Sequence, residues 1–149
     1  SIYQLVQPHL LALLVKHDPM VSIVLTGGEL RFPKEAMVGD FALNNLNRVL
    51  ANKCFLGCSG ISADDGITTA ILSETAVNET MLKRTTGLKF VLCDYTKVGV
   101  KHSFLSGDID LINYLITDIN ADEAAIEEIK EHDVKVVKLK PLVLTAYNN

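Results

Sequence analysis

Several short segments of the chain carry residue types that hold small anions or sugar hydroxyls. Thr26-Gly27-Gly28 follows a β-branched run. Two adjacent glycines let a backbone turn sharply and bring N–H groups close to an anion, or they simply form a turn. Neither the spacing nor the lysine of a Walker loop is present, and the dinucleotide fingerprint is absent as well. Gly57-Cys58-Ser59-Gly60 closes a second apolar run. A nucleophile elbow needs glycine two residues after the serine, and Ile61 stands there. None of His9, His17, His102 and His132 has a spacing that ties it to Ser59. Ser59 is therefore a hydroxyl for a ligand, or a turn residue.

Asp64-Asp65-Gly66-Ile67-Thr68-Thr69 pairs two acids with two threonines, but no terminal Glu follows at the offset of a calcium loop. A solvated turn with Gly66 at positive φ is the better reading, and no metal is expected. Glu74 falls in the first turn of a predicted helix. There it either complements the helix dipole or points into a ligand crevice, accepting sugar hydroxyls or acting as a base. Asp94 and Lys97 follow a strand-like run. Lys97 is either solvated or placed to neutralise a phosphate or carboxylate. The three cysteines, Cys54, Cys58 and Cys93, are odd in number and show no zinc-like cluster. They read as buried thiols of a protein in a reducing, cytoplasmic setting.

The elements that must position these residues follow from periodicity and breakers. A helix is expected over residues 2–16, ended by Asp18-Pro19, and a strand over 21–25. A helix capped by Asp40 follows over 40–50, then a strand over 54–59 and a polar loop over 60–72. Ser73 is expected to cap a helix that runs to about residue 86 and stops at Gly87. Strands are predicted over 89–93, 102–105 and 114–117. A helix with Asn120 as cap and Glu123 reaching back runs to 131, and an edge strand with one wet face covers 134–139. The alternation predicts an α/β domain with a mainly parallel sheet and helices on both faces. Ligands in such sheets sit beyond the carboxyl ends of the strands, where 26–28, 59–69 and 94–97 fall.

Composition sets the outer limits. The 149 residues are 48% hydrophobic, which suits one domain and excludes a disordered chain. The longest apolar run, residues 10–15, is far short of the roughly 20 needed to span a bilayer, so no membrane association is expected. No basic segment precedes it, as a signal peptide would require. The formal charge of −4 argues against this piece wrapping nucleic acid itself.

Taken in order, six motifs resemble the C-terminal effector-binding domain of DeoR-family bacterial transcription repressors. They are V-L-T-G-G-E-L-R at 24–31, V-G-D at 38–40, K-C-F-L-G-C-S-G-I-S-A-D-D-G-I-T-T at 53–69, S-E-T-A-V-N-E-T-M at 73–81, D-Y-T-K-V-G at 94–99 and L-I-T-D at 115–118. The similarity is greatest to the branch of the family that governs lactose uptake. The resemblance implies a fold like that of ribose-phosphate isomerase and the coenzyme A transferases, no enzymatic activity and no cofactor. It also implies a phosphorylated sugar as effector, tagatose 6-phosphate for the lactose branch, whose binding relieves repression. Operator DNA would be read by an N-terminal helix-turn-helix, and a homo-oligomer is expected. Residue by residue, Gly27 and Gly28 match the family's glycine pair beside the crevice. Ser59 and Gly60 match the loop after the next strand, Thr69 and Glu74 the segment leading into the following helix, and Lys97 the lysine of D-x-x-K. Lys97 is expected on the phosphate or a sugar oxygen, and Glu74 on sugar hydroxyls.

Two departures stand out. Family members begin with the DNA-binding domain and then a strand ending in a D-x-G-T-T-like phosphate loop. Neither is found here, so the chain is expected to be N-terminally truncated, a partial sensor domain over 1–149. Isomerases of this fold carry acidic residues where this chain has Cys58-Ser59-Gly60, so Glu74 is left as a thin basis for proton transfer. The alternative to a sensor is a sugar-phosphate isomerase-like enzyme. A third reading, an oligomerisation module, rests on the apolar stretch over 9–15.

Overall fold

The computed structural model of the chain describes residues 4–6, 18–32 and 36–140, the side chains of 4–6 excepted. Ten strands and three helices are present among them. In chain order they are β1 (Gln4–Val6), β2 (Glu29–Arg31), β3 (Ala36–Val38), α1 (Asp40–Leu46), β4 (Ala51–Leu56), β5 (Gly60–Ser62) and β6 (Gly66–Thr69). Then come α2 (Leu72–Lys83), β7 (Thr85–Leu92), β8 (Phe104–Gly107), β9 (Tyr114–Asp118), α3 (Glu123–Lys130) and β10 (Lys135–Leu139). The main sheet has the order β1-β4-β7-β9-β10, and every pairing in it is parallel. Two small antiparallel sheets, β2-β3 and β5-β6-β8, complete the expected α/β architecture.

Side-chain alternation along the strands builds the core. Cys54 and Leu56 on β4, Val91 on β7 and Leu115 on β9 are buried on one face of the sheet, against Val77, Met81 and Leu82 of α2 and Ile126 and Ile129 of α3. Each fully buried aliphatic side chain contributes roughly 1.5–3 kcal/mol of transfer free energy. The other face carries a ladder in which Phe55 stacks on Phe90 at 4.6 Å and Phe90 on Tyr114 at 4.8 Å. The Lys135 ammonium lies over the Tyr114 ring at 5.6 Å. β10 is the sheet edge, as its alternating sequence predicts, with Val136 half-buried among exposed neighbours.

Several expected elements differ. Residues 4–6, placed in a helix by periodicity, form β1, because the short run Gln4–Val6 finds a ladder partner in Lys53, Cys54 and Phe55. The rest of that expected helix, residues 2–3 and 7–16, lies outside the described residues. Residues 21–25 form no strand and are exposed, since β-branched composition without a ladder partner does not make one. Helix α1 stops at Leu46, and its cap position is Gly39 at φ 90°, with Asp40 already inside the first turn. The polar loop over 60–72 is a hairpin, β5 and β6, turning at Gly66 with φ 67°. Helix α2 has Ile71 at its cap position, so Ser73 is not the cap. Gly87 is not a helix stop. It lies inside β7 at an irregularity opposite Asn52, where an added Cβ would stand 2.1 Å from the Asn52 carbonyl oxygen. Helix α3 is capped by Asp122, whose Oδ2 accepts the Ala125 N–H at 2.9 Å, rather than by Asn120.

Candidate functional site

The carboxyl ends of β4, β7 and β9 lie side by side, and the segments leaving them are stitched together by hydrogen bonds. After β4, the Ser59 N–H donates to the Thr68 carbonyl at 3.1 Å, and Ser59 Oγ accepts the Ala70 N–H at 3.2 Å. Ser59 thus pins the entry of β5 to the exit of β6. Gly60 is buried, and a Cβ there would stand 2.2 Å from the Val100 carbonyl oxygen, so no larger residue fits. Thr68 Oγ1 in turn accepts the His102 N–H at 2.9 Å.

Beyond β7, residues 95–97 form a single 3-10 turn that presents Lys97. Asp94 caps it, accepting the Thr96 N–H at 2.9 Å and the Thr96 hydroxyl on the same oxygen. Its other oxygen is 2.9 Å from Lys97 Nζ. These hydrogen bonds, Thr96 foremost and Lys97 next, hold the Asp94 carboxyl below its ordinary value. The same contact with Asp94 raises the Lys97 ammonium above its ordinary value. Lys97 is thus an ion-paired, half-buried cation rather than a lone solvated one. The turn is anchored from β9, where Asp118 Oδ2 accepts the Tyr95 N–H at 2.7 Å. It is joined to β5 as well: the Gly99 N–H donates to the Ile61 carbonyl at 2.8 Å.

Helix α2 supplies the floor. Glu74 in its first turn is 8% exposed, and Asn78, one turn later on the same face, is 3% exposed. Asn78 Nδ2 donates to the Gly57 carbonyl at 3.4 Å, while its Oδ1 is buried without a hydrogen-bond partner among the described residues. Thr69 is buried and shares hydrogen bonds with the Thr75 hydroxyl and, at 3.4 Å, with Ser106 Oγ. Its hydroxyl is committed to holding β6, α2 and β8 together.

The structure therefore brings Ser59, Gly60, Thr69, Glu74 and Lys97 to the carboxyl end of the sheet. The glycine pair belongs to a different junction. Gly27 and Gly28 have φ 73° and 102°, and a Cβ on Gly28 would meet the Val38 carbonyl oxygen at 2.5 Å and the Ala42 Cβ at 3.1 Å. Gly28 is required where the chain crosses the β3–α1 corner, and Asn45 Nδ2 fixes that crossing through the Thr26 carbonyl at 2.7 Å. Among the described residues no hydrogen bond links the pair to Ser59 or Lys97. Asp64 and Asp65 form the hairpin turn, where the Asp65 N–H donates to Ser62 Oγ at 3.1 Å. Among the described residues, no group of three or more acids, histidines or cysteines gathers as a metal site would need.

Sequence reasoning missed Asp118 and Asn78. Asp118 closes L-I-T-D at a strand's carboxyl end, and Asn78 follows Glu74 by four residues, so helical spacing was the available signal. Of the cysteines, Cys54 is buried, while Cys58 and Cys93 are only half-buried.

Comparison with known proteins gives this geometry a context. A family model described as the DeoR C terminal sensor domain matches residues 8–119. The chain belongs to this family. It is 28% identical over 84% of its length to the HTH-type transcriptional regulator GolR of Listeria innocua, covering 49% of that protein. It is 31% identical over 78% of its length to the HTH-type transcriptional regulator GlpR of Haloferax volcanii, covering 45% of it. It is 30% identical over 80% of its length to the lactose phosphotransferase system repressor of Staphylococcus aureus, covering 47% of it. The chain thus spans about half the length of these relatives. This DeoR-family sensor domain groups with transcriptional regulators, not enzymes. None of its described helices is long and apolar enough to cross a membrane.

Proposed function

We propose that the chain, taken as one sensor domain, binds a phosphorylated sugar in the crevice at the carboxyl ends of β4 and β7. This binding changes the affinity of the complete regulator for operator DNA. In this reading the Lys97 ammonium meets the phosphate, and Glu74 and Asn78 meet sugar hydroxyls. Ser59 and Gly60 shape the loop beside the ligand, and Thr69 holds the floor in place. Gly27 and Gly28 act one layer away, by fixing the β3–α1 corner. The supporting observation is that the end of the parallel sheet carries both an ion-paired lysine, on the turn after β7, and the buried Asn78, which is hydrogen-bonded to Gly57 just beyond β4 and bears an unpartnered oxygen.

The proposed effector is tagatose 6-phosphate, which the resemblance to the lactose branch implies; the 30% identity to a lactose phosphotransferase system repressor supports a place near that branch. In this reading operator DNA is contacted by an N-terminal helix-turn-helix outside the sensor domain, and the regulator acts as a homo-oligomer in the cytoplasm. Effector binding would couple to DNA by favouring one of two conformations.

Calorimetry of the chain with tagatose 6-phosphate, tagatose and glycerol 3-phosphate tests the effector. Saturable binding of tagatose 6-phosphate, lost with the unphosphorylated sugar, is expected. Equal binding of tagatose and its phosphate would refute the role given to Lys97. Tighter binding of glycerol 3-phosphate would refute the choice of sugar.

A further inference from the structure

Cys58 and Cys93 take no part in the crevice as described, yet the sheet sets them together. The parallel register of β4 and β7 pairs Phe55 with Phe90 and Leu56 with Val91. Two residues further on, the same register sets Cys58 opposite Cys93. Strand alternation sends both to the core face, in series with Cys54 and Leu56 on one strand and Val91 on the other. Cys93 is still held in sheet geometry, its N–H donating to the Ile116 carbonyl at 3.1 Å. The two thiols face each other, both are free, and both are half-buried at the crevice end of the sheet.

Adjacent strands lie about 4.8 Å apart, which falls within the roughly 4.4–6.8 Å Cα separation of disulfides. Gly57 next to Cys58 stands in open space, where even an added Cβ would meet nothing within 4 Å. The Lys97 ammonium lies close enough to both sulfurs to act on them electrostatically. A hydrogen bond with the facing Cys93 thiol, and burial, keep the proton on Cys58. Cys54 is different: burial pushes its thiol up to about 11, and it lies deeper in the core with no access to oxidant.

We infer that Cys58 and Cys93 form a thiol-pair modification site, in which a hydroperoxide joins the two sulfurs as an intramolecular disulfide and displaces the Ser59 and Lys97 turns. The Cys93 sulfur attacks the peroxide; its O–O bond breaks, the alkoxide half takes the thiol proton and leaves as alcohol or water, and Cys93 becomes a sulfenic acid. The Cys58 sulfur then attacks the Cys93 sulfur. The S–O bond breaks, hydroxide takes the Cys58 proton, and water leaves. Two thiols are oxidised, one peroxide is reduced, and the pair loses two hydrogens. Because Ser59 follows Cys58 directly and Asp94, the cap of the Lys97 turn, follows Cys93, drawing the sulfurs together changes the crevice mouth. The consequence for effector binding rests on the function proposed above.

The test is oxidation of the full chain with stoichiometric hydrogen peroxide. Titratable thiols should fall from three to one, and tryptic peptides 54–83 and 90–97 should become cross-linked. The cross-link should be absent in Cys58→Ser and in Cys93→Ser. Three titratable thiols after peroxide, or a cross-link that persists in Cys58→Ser, would overturn the assignment. Backbone amide resonances of residues 59–60 and 94–98 should shift on oxidation and return with dithiothreitol; unchanged resonances would overturn the displacement. Affinity for tagatose 6-phosphate should drop about tenfold on oxidation and recover on reduction. Equal affinity in both forms overturns the coupling. If the reduced chain binds no sugar phosphate, the crevice reading has failed, while the thiol count and the amide shifts still decide the disulfide.

Discussion

Asp118 and Tyr95 are joined across the end of the main sheet: Asp118 Oδ2, at the last position of β9, accepts the Tyr95 N–H at 2.7 Å. Tyr95 opens the turn that carries Lys97, so one carboxylate sets where the cation stands. Asp118 Oδ1 accepts the Asn120 N–H at 2.9 Å as well, which ties the same residue to the approach of α3. Asp118→Ala removes both acceptors. It should cost about 1–2 kcal/mol in urea unfolding and weaken sugar-phosphate binding by more than that loss of stability explains. Unchanged affinity in the folded variant would show that the turn positions itself.

Gly87 gives a prediction about packing. A Cβ at 2.1 Å from a backbone carbonyl oxygen cannot be relieved by a side-chain rotation. Gly87→Ala should force β7 away from β4 and cost about 1–3 kcal/mol or more. A glycine that merely ended a helix would behave differently, so a variant as stable as the parent in urea would restore that reading.

Asn78 separates a structural role from a binding one. Its buried Oδ1 has no hydrogen-bond partner among the described residues. Asn78→Leu keeps the volume and removes the polar group, so stability should change by less than about 1.5 kcal/mol. Effector affinity should fall about tenfold or more, the value of one lost hydrogen bond to a buried partner. A variant with lower stability and undiminished affinity would make Asn78 a strut between α2 and Gly57.

The pH dependence of binding has a defined origin. Asp94 is depressed below 3.8, so its contribution to stability is complete above that value and is lost only as pH falls through the still lower folded value. Lys97 is raised above 10.5, so its contribution is complete below that value and is lost only as pH rises through the higher folded one. The pair is unchanged between about pH 5 and 9. A phosphate monoester changes charge near pH 6. Binding measured by calorimetry should therefore weaken as pH falls through about 6, following the ligand's own ionisation. A flat profile from pH 5 to 8 would mean that the phosphate charge is not read.

Much of this arrangement is legible in the sequence, and the failures have physical causes. The strand Tyr114–Asp118 is clear because a short apolar run stands between polar breakers. The hairpin of β5 and β6 was hidden by its polar character, although Asp65-Gly66 between two short runs is itself a hairpin signal. Gly87 shows that a glycine after a helical pattern does not by itself distinguish a stop from a strand irregularity. Residues 21–25 show that composition cannot supply a ladder partner. The places of Ser59 and Lys97 beyond strand ends and of Glu74 in a helix's first turn are legible in the sequence, whereas the pairing of Lys97 with Asp94 and its anchoring by Asp118 depend on how β7 and β9 lie together. The glycine pair follows a strand-like run in the sequence, but its place at the β3–α1 corner depends on a tertiary contact with Ala42.

The most direct test is a titration of the isotopically labelled chain with tagatose 6-phosphate, following backbone and Asn side-chain amide resonances. Saturable shifts concentrated at Ser59, Gly60, Glu74, Asn78 and residues 94–98 are the predicted result. Shifts confined to Gly27-Gly28 or to the Asp64-Asp65 turn, or none at millimolar sugar phosphate, would contradict a sugar-phosphate site at the carboxyl end of the sheet.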